Sequence, residues 1–511
     1  MKKKLIYIAF FIGALVCLSS CYNDNGNYDY ISLPDVKITT DKDAYAAEQF
    51  QTLEIAADVD LAGDSEADYE YTWRLWSNDI KRKDYQKEKV IGNEKNLSFK
   101  VEELAGLYTL VFTCHNKRTN VDTFKQMALT VQGSITEGWL VLHEKDGVTD
   151  FDLIKTPFFS SRVDKDIVLR NLYAMNGEQL EGRGVRIGSF IDYQRQYVTI
   201  MTDKGGAKLE GSTMQKMFDM SSLMTDGKPW NPQNYIWSPY KGAFSRYGYE
   251  VMVNDGRVYI YNTIWNFTSY VEPIQPDGLT YRASKYMPRF IWGSYYGEGI
   301  VIYDDLNGRF LYVDKQFKLR TLPDATGYPF DWNNMHGNLI YMDMGFKNHD
   351  LGLIEDWDSH KKTLYEVNFD EKKLNLAIVK QYPVGDCPEM DKAKYYAIGE
   401  RGPVFYYATD KKIYLYDYSG THNAKEVYAL NGANEKITGM KILKANKFGS
   451  NHPYSNKVLI LSTYNESAKE GKVYMYYFNE SNGIINLESE HVFTGFGEVL
   501  DMEYNWPKIG S

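Results

Sequence analysis

The sequence is poor in cysteine, and the few cysteines it has are badly placed for a disulfide framework. Four cysteines occur in 511 residues, and two of them, Cys17 and Cys21, lie at the extreme N-terminus. The other two, Cys114 and Cys387, fall in segments that we assign below to different domains. We therefore predict two buried free thiols rather than a disulfide-stabilised scaffold.

Basic residues are also in deficit. Lysine and arginine number 58 against 68 aspartates and glutamates, which gives a formal net charge of -10. A nucleic-acid binder needs a basic face that displaces counterions, so we expect no nucleic-acid partner. The charge is compatible with a neutral ligand, a cation or a protein partner.

Catalytic motifs are missing as well. The sequence contains no Gly-x-Ser-x-Gly elbow, no His-Glu-x-x-His pair, no phosphate-binding glycine loop and no dinucleotide fingerprint. His349, Asp350 and His360 form the one conceivable metal-ligand group, but such spacings arise often by chance. We therefore assign no catalytic residue, metal or cofactor, and a binding protein is favoured over an enzyme.

The N-terminus is typical of a secreted, lipid-anchored protein. Three lysines precede an apolar run from Leu5 to Leu18, which is shorter than the roughly 20 residues of a membrane-spanning helix. Leu18-Ser19-Ser20-Cys21 resembles the bacterial lipobox, in which the cysteine thiol is diacylated. We predict a signal peptide over residues 1–20, lipidation of Cys21 and a tether over residues 21–30. The alternative is an ordinary signal peptide with a chance cysteine.

What the chain has in abundance is tyrosine, 43 in all, arranged in short alternating strands. Val404–Tyr418, VFYYATDKKIYLYDY, is typical: two arms of period two flank a polar turn at Thr409–Lys412. Related units recur about every 45 to 60 residues. The units are Gly138–Ile154, Val185–Asp203, Tyr249–Asn262, Gly299–Asp314, Asn338–Met344 paired with Thr363–Phe369, Val404–Tyr418, and Lys457–Tyr464 paired with Lys472–Phe478.

Seven units of this period predict a β-propeller over residues 138–506, although six or eight blades and a solenoid are alternatives. Asp-Gly and Asn-Gly turns such as Asp146-Gly147 supply the positive φ that tight hairpins need. Glu498–Tyr504 resembles Lys436–Leu443, the strand before the seventh unit, but no hairpin follows it. We expect this last strand to complete the first blade and close the ring.

Residues 31–132 predict a separate β-sandwich of immunoglobulin-like size, with short strands at intervals of roughly ten residues. Tyr71-Thr72-Trp73 and Gly106-Leu107-Tyr108-Thr109-Leu110, with Asn116 after the strand, resemble elements of PKD (polycystic kidney disease) domains. The glycine- and aspartate-rich loop usual after the Trp strand is absent. We expect Trp73 and Tyr108 to be core residues.

With the lipobox and the Gly26–Tyr30 segment, the chain resembles the PKD-like family of lipoproteins in Bacteroidota. The resemblance implies no established chemistry. It implies a cell-envelope protein, often associated with outer-membrane nutrient-uptake systems, so the expected location is lipid-anchored at the outer membrane.

Aromatic residues in the irregular segments between hairpins are the candidate ligand contacts. Their rings can stack on sugar faces while nearby Asn and Asp side chains hold hydroxyls. They are Trp230, Trp237, Trp292, Tyr295, Tyr296, Trp332 and His336. Packing between blades is the alternative role for each of them.

Three functional hypotheses follow. The first is a surface lipoprotein whose PKD-like spacer lifts a propeller that binds a glycan or protein, assisting an outer-membrane transporter complex. The second is a propeller hydrolase or lyase acting on polysaccharide, with Asp304, Asp305, Asp331 and Asp343 as candidate carboxylates. The third is a structural assembly partner of an envelope complex.

Overall fold

The computed structural model describes residues 33–505, except for positions 81, 83, 134, 136, 161–162, 192–195, 237–248, 263–268, 273, 287–290, 295–296, 315, 370–376, 433 and 446–451. Cys21 and the predicted signal peptide and tether lie outside the described residues. Within the described part the regular structure is β-strand, with single-turn 3₁₀ helices at Glu66–Asp68, Ala174–Asn176, Ser221–Leu223, Phe346–Asn348, Met390–Lys392 and Leu487–Ser489.

The N-terminal region is a β-sandwich. Its strands are β1 (Lys37–Thr40), β2 (Ala44–Glu48), β3 (Thr52–Ile55), β4 (Ala57–Asp60), β5 (Tyr69–Ser77), β6 (Lys89–Gly92), β7 (Leu97–Lys100), β8 (Gly106–Asn116) and β9 (Val121–Gln132). A five-stranded sheet, β2-β9-β8-β5-β6, packs with the pairs β3-β7 and β1-β4. Trp73 and Tyr108 are buried between them, as predicted.

The remaining strands follow in chain order. They are β10 (Gly138–Lys145), β11 (Val148–Lys155), β12 (Ile167–Leu169), β13 (Gly184–Ile191), β14 (Gln196–Thr202), β15 (Gly205–Glu210), β16 (Lys216–Asp219), β17 (Pro232–Ile236), β18 (Tyr249–Asn254), β19 (Arg257–Asn262), β20 (Ile291–Ser294), β21 (Gly297–Asp304), β22 (Arg309–Val313), β23 (Leu319–Thr321), β24 (Gly337–Met344), β25 (Asp350–Asp356), β26 (Lys362–Val367), β27 (Ile378–Pro383), β28 (Tyr395–Ile398), β29 (Val404–Ala408), β30 (Lys412–Asp417), β31 (Ala424–Ala429), β32 (Glu435–Ile442), β33 (Val458–Asn465), β34 (Glu470–Tyr477), β35 (His491–Phe496) and β36 (Glu498–Asn505).

These strands form seven antiparallel sheets within the described residues, one for each predicted blade. Blade 1 has the order β36-β10-β11-β12, blade 2 is β13–β16, and blade 3 is the three strands β17–β19. Blades 4 to 7 are β20–β23, β24–β27, β28–β31 and β32–β35. The all-β architecture of a sandwich followed by a seven-bladed propeller is therefore confirmed.

The ring is closed by packing as well as by pairing. An apolar cluster lies between each pair of consecutive blades, including blades 7 and 1. The C-terminal β36 pairs antiparallel with β10, with Tyr504 opposite Trp139. The expectation that the last strand completes the first blade is confirmed.

The predicted hairpin turns have the expected backbone. Asp146 and Gly147 have φ of 53° and 79°, and Asp255 and Gly256 have φ of 50° and 69°. In other blades a short polar side chain fixes the turn instead: Thr409 Oγ1 accepts from the Lys412 amide at 3.1 Å. The positive φ lets a tight turn follow the twist of its strands, whereas the Thr409 hydroxyl satisfies an amide of its turn.

One predicted pairing is wrong. Asn338–Met344 and Thr363–Phe369 do not pair with each other, because β25 lies between them and pairs with both β24 and β26. The segment taken as a long insertion is thus the second strand of blade 5. Its Leu351, Leu353 and Ile354 are buried, so its apolar pattern was the missed signal.

The sandwich does not stand apart from the propeller. Leu104 and Ile135 are fully buried in the cluster that joins blades 1 and 2. Asp79 Oδ2 accepts from Gln215 Nε2 at 2.8 Å, and the Ile135 amide donates to the Ser212 carbonyl at 3.3 Å. A spacer that merely lifts the propeller would not need such a shared core.

Two further sequence expectations concern the cysteines and membrane spans. Cys114 and Cys387 are both free, but only Cys114 is buried, whereas Cys387 is half-buried in the cluster between blades 5 and 6. Burial raises the pKa of the Cys114 thiol to about 11, so it stays protonated at neutral pH. In the part of the chain that the structure describes, no helix is long and apolar enough to cross a membrane.

Ring closure makes a testable prediction. Met502 on β36 is 2% exposed within the cluster between blades 7 and 1. Leu487, in the 3₁₀ turn before β35, is 51% exposed. Replacing Met502 with Ala should lower the free energy of unfolding by about 2–4 kcal/mol, because the cavity is only partly filled by relaxation. Leu487→Ala should change it by less than about 0.5 kcal/mol. Equal urea-unfolding curves for the two variants would contradict the packing of β36.

Candidate functional site

A cavity of about 590 Å³ runs along the axis of the propeller. Most of its wall comes from the strand of each blade that lies nearest the axis and from the segments next to that strand, with Trp139 of β10 and Ser462 of β33 behind them. The wall includes Arg186 of β13, Asn234 of β17, Lys285 and Tyr286 ahead of β20, Tyr341 of β24, Tyr396 of β28, Lys441 of β32 and Asp501 of β36. We call this cavity the central channel. Described residues from all seven blades meet in it, so it is the candidate site.

One side of the channel, on blades 2, 1 and 7, is charged. Arg186 Nη1 lies 2.5 Å from Asp501 Oδ2, and Arg186 Nη2 lies 2.7 Å from Glu503 Oε2. Lys441 Nζ lies 3.1 Å from Asp501 Oδ1 and 3.6 Å from Glu503 Oε2. We call these four side chains the charged wall. Because Asp501 and Glu503 alternate along β36, both point to the same face of the strand, toward the axis.

The electrostatics of the charged wall fix its protonation. Burial raises the pKa of Asp501, but the positive charges of Arg186 and Lys441 outweigh burial and hold this pKa below its ordinary value. Burial likewise disfavours the charged Arg186, yet its two carboxylate partners raise its pKa. Both groups are therefore ionised at neutral pH, and Asp501 is unsuited to act as a general acid there.

The facing side, on blades 4 to 6, is aromatic. The ring centroids of Tyr286 and Tyr341 are 5.9 Å apart, and those of Tyr341 and Tyr396 are 5.6 Å apart. We call these three tyrosines the aromatic wall. Burial, and then the charge of Asp343, raise the pKa of Tyr341 well above its ordinary value. Its phenol is neutral and donates to Asp343 Oδ2 at 3.1 Å.

Two further lysines complete the channel lining. Lys444 Nζ lies 2.8 Å from Asp343 Oδ2 and 3.6 Å from Glu400 Oε1. Lys394 Nζ lies 2.7 Å from Asp410 Oδ2. Four of the described cations in the channel lining are thus paired with carboxylates, and Lys285 beside Tyr286 is the fifth described cation.

The structure does not bring the predicted aromatic residues together at the channel. Trp332 is fully buried between blades 4 and 5, and its indole donates to the Pro323 carbonyl at 2.7 Å. Trp230 packs beside the cluster of blades 2 and 3 and donates to the Thr202 carbonyl at 2.9 Å. For these two residues the structure shows the packing role between blades.

Among the predicted contacts whose side chains the structure describes, His336 is the most accessible. It is 49% exposed, its ring lies 5.1 Å from that of Trp357, and Nδ1 lies 3.3 Å from Asp356 Oδ2. It lies ahead of β24, outside the channel lining. Trp237, Tyr295 and Tyr296 lie outside the described residues, and of Trp292 only the backbone, in β20, is described.

The structure also does not bring the four candidate carboxylates together at the channel. Asp304 is fully buried and anchors a turn, accepting from the amides of Arg282 and Leu306 at 3.0 and 3.1 Å. Asp331 caps an exposed turn through the Asn333 amide. Burial raises the pKa of Asp305 to about 6, but Asp305 does not line the channel. Of the four, Asp343 alone does.

The conceivable metal ligands are also apart. His349 Nδ1 lies 2.6 Å from Glu366 Oε1, whereas His360 is 77% exposed beside Glu355. Among the described residues, no three His, Cys, Asp or Glu side chains are grouped closely enough to hold a metal ion.

Sequence reasoning missed the charged wall. The available signal was the closing strand itself, EVLDMEY, in which Asp501 and Glu503 recur with period two beside buried Met502 and Tyr504. Asp501 and Glu503 therefore share one face of the strand nearest the axis, and both line the channel.

The chain was compared with protein families, with curated proteins and with solved structures. A model described as the PKD-like family matches residues 21–184. The match begins at the predicted lipidation site and ends where β13 begins, so it covers the sandwich and the strands β10–β12 of blade 1. No curated protein matches the chain in sequence.

Among solved structures, the chain is similar to a quinonprotein alcohol dehydrogenase-like protein from Bacteroides thetaiotaomicron. The identity is 12%, the TM-score is 0.50, and the match covers 91% of this chain and 96% of that one. At this identity the likeness shows the fold alone.

Two yeast proteins are more distant. Saccharomyces cerevisiae Sqt1 has 13% identity and a TM-score of 0.39, covering 72% of this chain and 89% of its own. The WD40 domain of SCAP from fission yeast has 10% identity and a TM-score of 0.36, covering 62% of this chain and 75% of its own. These scores are too low to carry an argument. The chain therefore combines an N-terminal region that matches the PKD-like family with a propeller-like region that follows it.

Proposed function

We propose that this protein is a lipid-anchored binding protein of the bacterial cell envelope, and that its central channel holds part of a glycan. The observation that carries the proposal is the opposition of the aromatic wall to the charged wall across one cavity of about 590 Å³. A small ligand that fits between them needs an apolar face and many hydroxyls.

Sugars have this composition. The C–H face of a pyranose packs against phenol rings, while its hydroxyls donate to carboxylates and accept from guanidinium and ammonium groups. Tyr286, Tyr341 and Tyr396 supply the rings, and Asp501 and Arg186 supply fixed acceptors and donors. Because these charged groups are already paired, they are held in place before a ligand arrives, which lowers the entropic cost of binding.

The same geometry favours binding over hydrolysis. A glycosidase needs one protonated carboxyl to act as the acid and a second carboxylate as nucleophile or base. Asp501 is held ionised, and Glu503 shares the same two cations. The polysaccharide hydrolase or lyase remains the alternative, and release of product from a glycan would establish it.

The cellular setting rests on the sequence. The Leu18–Cys21 segment supports lipidation of Cys21 and a membrane surface location, and the match to the PKD-like family is in keeping with this. Association with an outer-membrane nutrient-uptake complex is what the family resemblance implies. A purely structural role in such a complex is the third alternative, favoured if the channel binds no glycan.

Tyr341 tests the channel. In the ectodomain from residue 22 onward, Tyr341→Leu keeps an apolar side chain but removes the ring. Glycan affinity should fall about threefold to tenfold, the contribution of one aromatic contact. Tyr365, which packs between blades 4 and 5 and does not line the channel, provides the matched control as Tyr365→Leu.

The measurement is glycan-panel screening followed by calorimetric titration of each binder, with product analysis by chromatography. Equal affinity of Tyr341→Leu and wild type would place the ligand outside the channel. Product release would instead establish the enzyme.

Cys21 tests the anchor. Cys21→Ala should move the protein from the membrane to the soluble fraction, because no acyl chains are then attached. Cys17→Ala, in the preceding apolar run, should leave the protein in the membrane fraction. Cell fractionation followed by immunoblotting distinguishes them, and membrane retention of the Cys21→Ala protein would refute lipidation.

A further inference from the structure

We propose that the glycan held in the central channel is acidic, carrying a carboxylate or sulfate group that Lys285 binds. The inference rests on the proposed function and adds the ligand class. It follows from a comparison of the cations that line the channel.

Among the described residues, four of the five lysine and arginine side chains that line the channel are already neutralised. Arg186 and Lys441 share Asp501 and Glu503 in the charged wall. The third and fourth each have carboxylate partners of their own: Lys444 contacts Asp343 and Glu400, and Lys394 contacts Asp410.

Lys285 differs from these four. Among the described residues it has no carboxylate within ion-pair distance, and its Nζ lies 5.0 Å from the ring centroid of Tyr286. Its side chain is exposed at the channel lining. A ring face does not neutralise the charge of an ammonium, so Lys285 can still donate to an anion.

Hydrogen bonds hold the backbone of Lys285 next to the charged wall. The Lys285 carbonyl accepts from Asn234 Nδ2 at 2.6 Å, and Asn234 Oδ1 accepts from Arg186 Nε at 3.1 Å. This chain of hydrogen bonds ties Lys285 to the charged wall, while Tyr286 next to it belongs to the aromatic wall. Lys285 therefore stands where the two walls meet.

The arrangement suits an acidic sugar in particular. Its ring face can pack on the aromatic wall while the charged substituent at the ring edge reaches the ammonium beside Tyr286. A neutral sugar would leave Lys285 without an anion, and a simple inorganic anion would leave the aromatic wall uncovered.

The experiment compares matched ligands on the ectodomain by calorimetric titration. The probes are trigalacturonate, its fully methyl-esterified form, galactotriose and sulfated galactotriose. We expect an acidic probe to bind at least about tenfold more tightly than its uncharged counterpart, as one charge-assisted hydrogen bond provides. The advantage should shrink as ionic strength rises, because Lys285 is exposed.

Lys285→Gln should remove the advantage of the acidic probe over its uncharged counterpart, and Lys285→Arg should retain it. Lys228→Gln, at an exposed lysine outside the channel lining, is the matched control and should behave as wild type. Unchanged melting temperatures show that the variants are folded.

The outcomes separate the two proposals. Preference for trigalacturonate identifies a carboxylate, and preference for sulfated galactotriose identifies a sulfate. Equal binding of charged and uncharged probes, or an acidic preference that survives in Lys285→Gln, overturns the inference but leaves glycan binding in place. Absence of binding to every glycan overturns the proposed function itself.

Discussion

Closure of the ring by the C-terminal strand is the interaction on which the rest of the structure depends. Blade 1 takes three strands from residues 138–169 and its axial strand from Glu498–Asn505, so the two ends of the propeller are joined by the β36-β10 ladder. Without β36, the cluster shared by blades 7 and 1 would lose Val499, Met502 and Tyr504. The strand β10 would also become an unpaired edge at the axis.

The closing strand also supplies the two carboxylates of the charged wall. The side chains of Asp501 and Glu503 line the channel from β36. Arg186 of blade 2 and Lys441 of blade 7 form ion pairs with both of them. The charged wall thus ties the three blades around the seam. Removing either cation would weaken the seam and alter the channel together. Binding energy from a ligand in the channel would therefore also stabilise the ring.

The sandwich is part of the same unit. Leu104 and Ile135 extend the cluster between blades 1 and 2, and the match to the PKD-like family runs through strands β10–β12. The sandwich has its own core around Trp73, but Leu104 and Ile135 also pack into the propeller. The described sandwich and propeller therefore share apolar contacts, which a detached spacer would not make.

The sequence alone determined the hairpins, the sandwich core and the ring closure, because each depends on local alternation, turn chemistry or near repetition. Asp146-Gly147 and Trp73 are examples of signals carried by a few adjacent residues. The pattern could not separate aromatic residues that pack between blades from those that reach the axis, since both have the same composition. Trp332, which was predicted to contact a ligand, is fully buried instead. In the Val404–Tyr418 hairpin, Tyr406 and Tyr407 are also fully buried and pack between blades. Only the tertiary structure decided the site, because Arg186 and Asp501 are 315 residues apart and meet only when the ring closes.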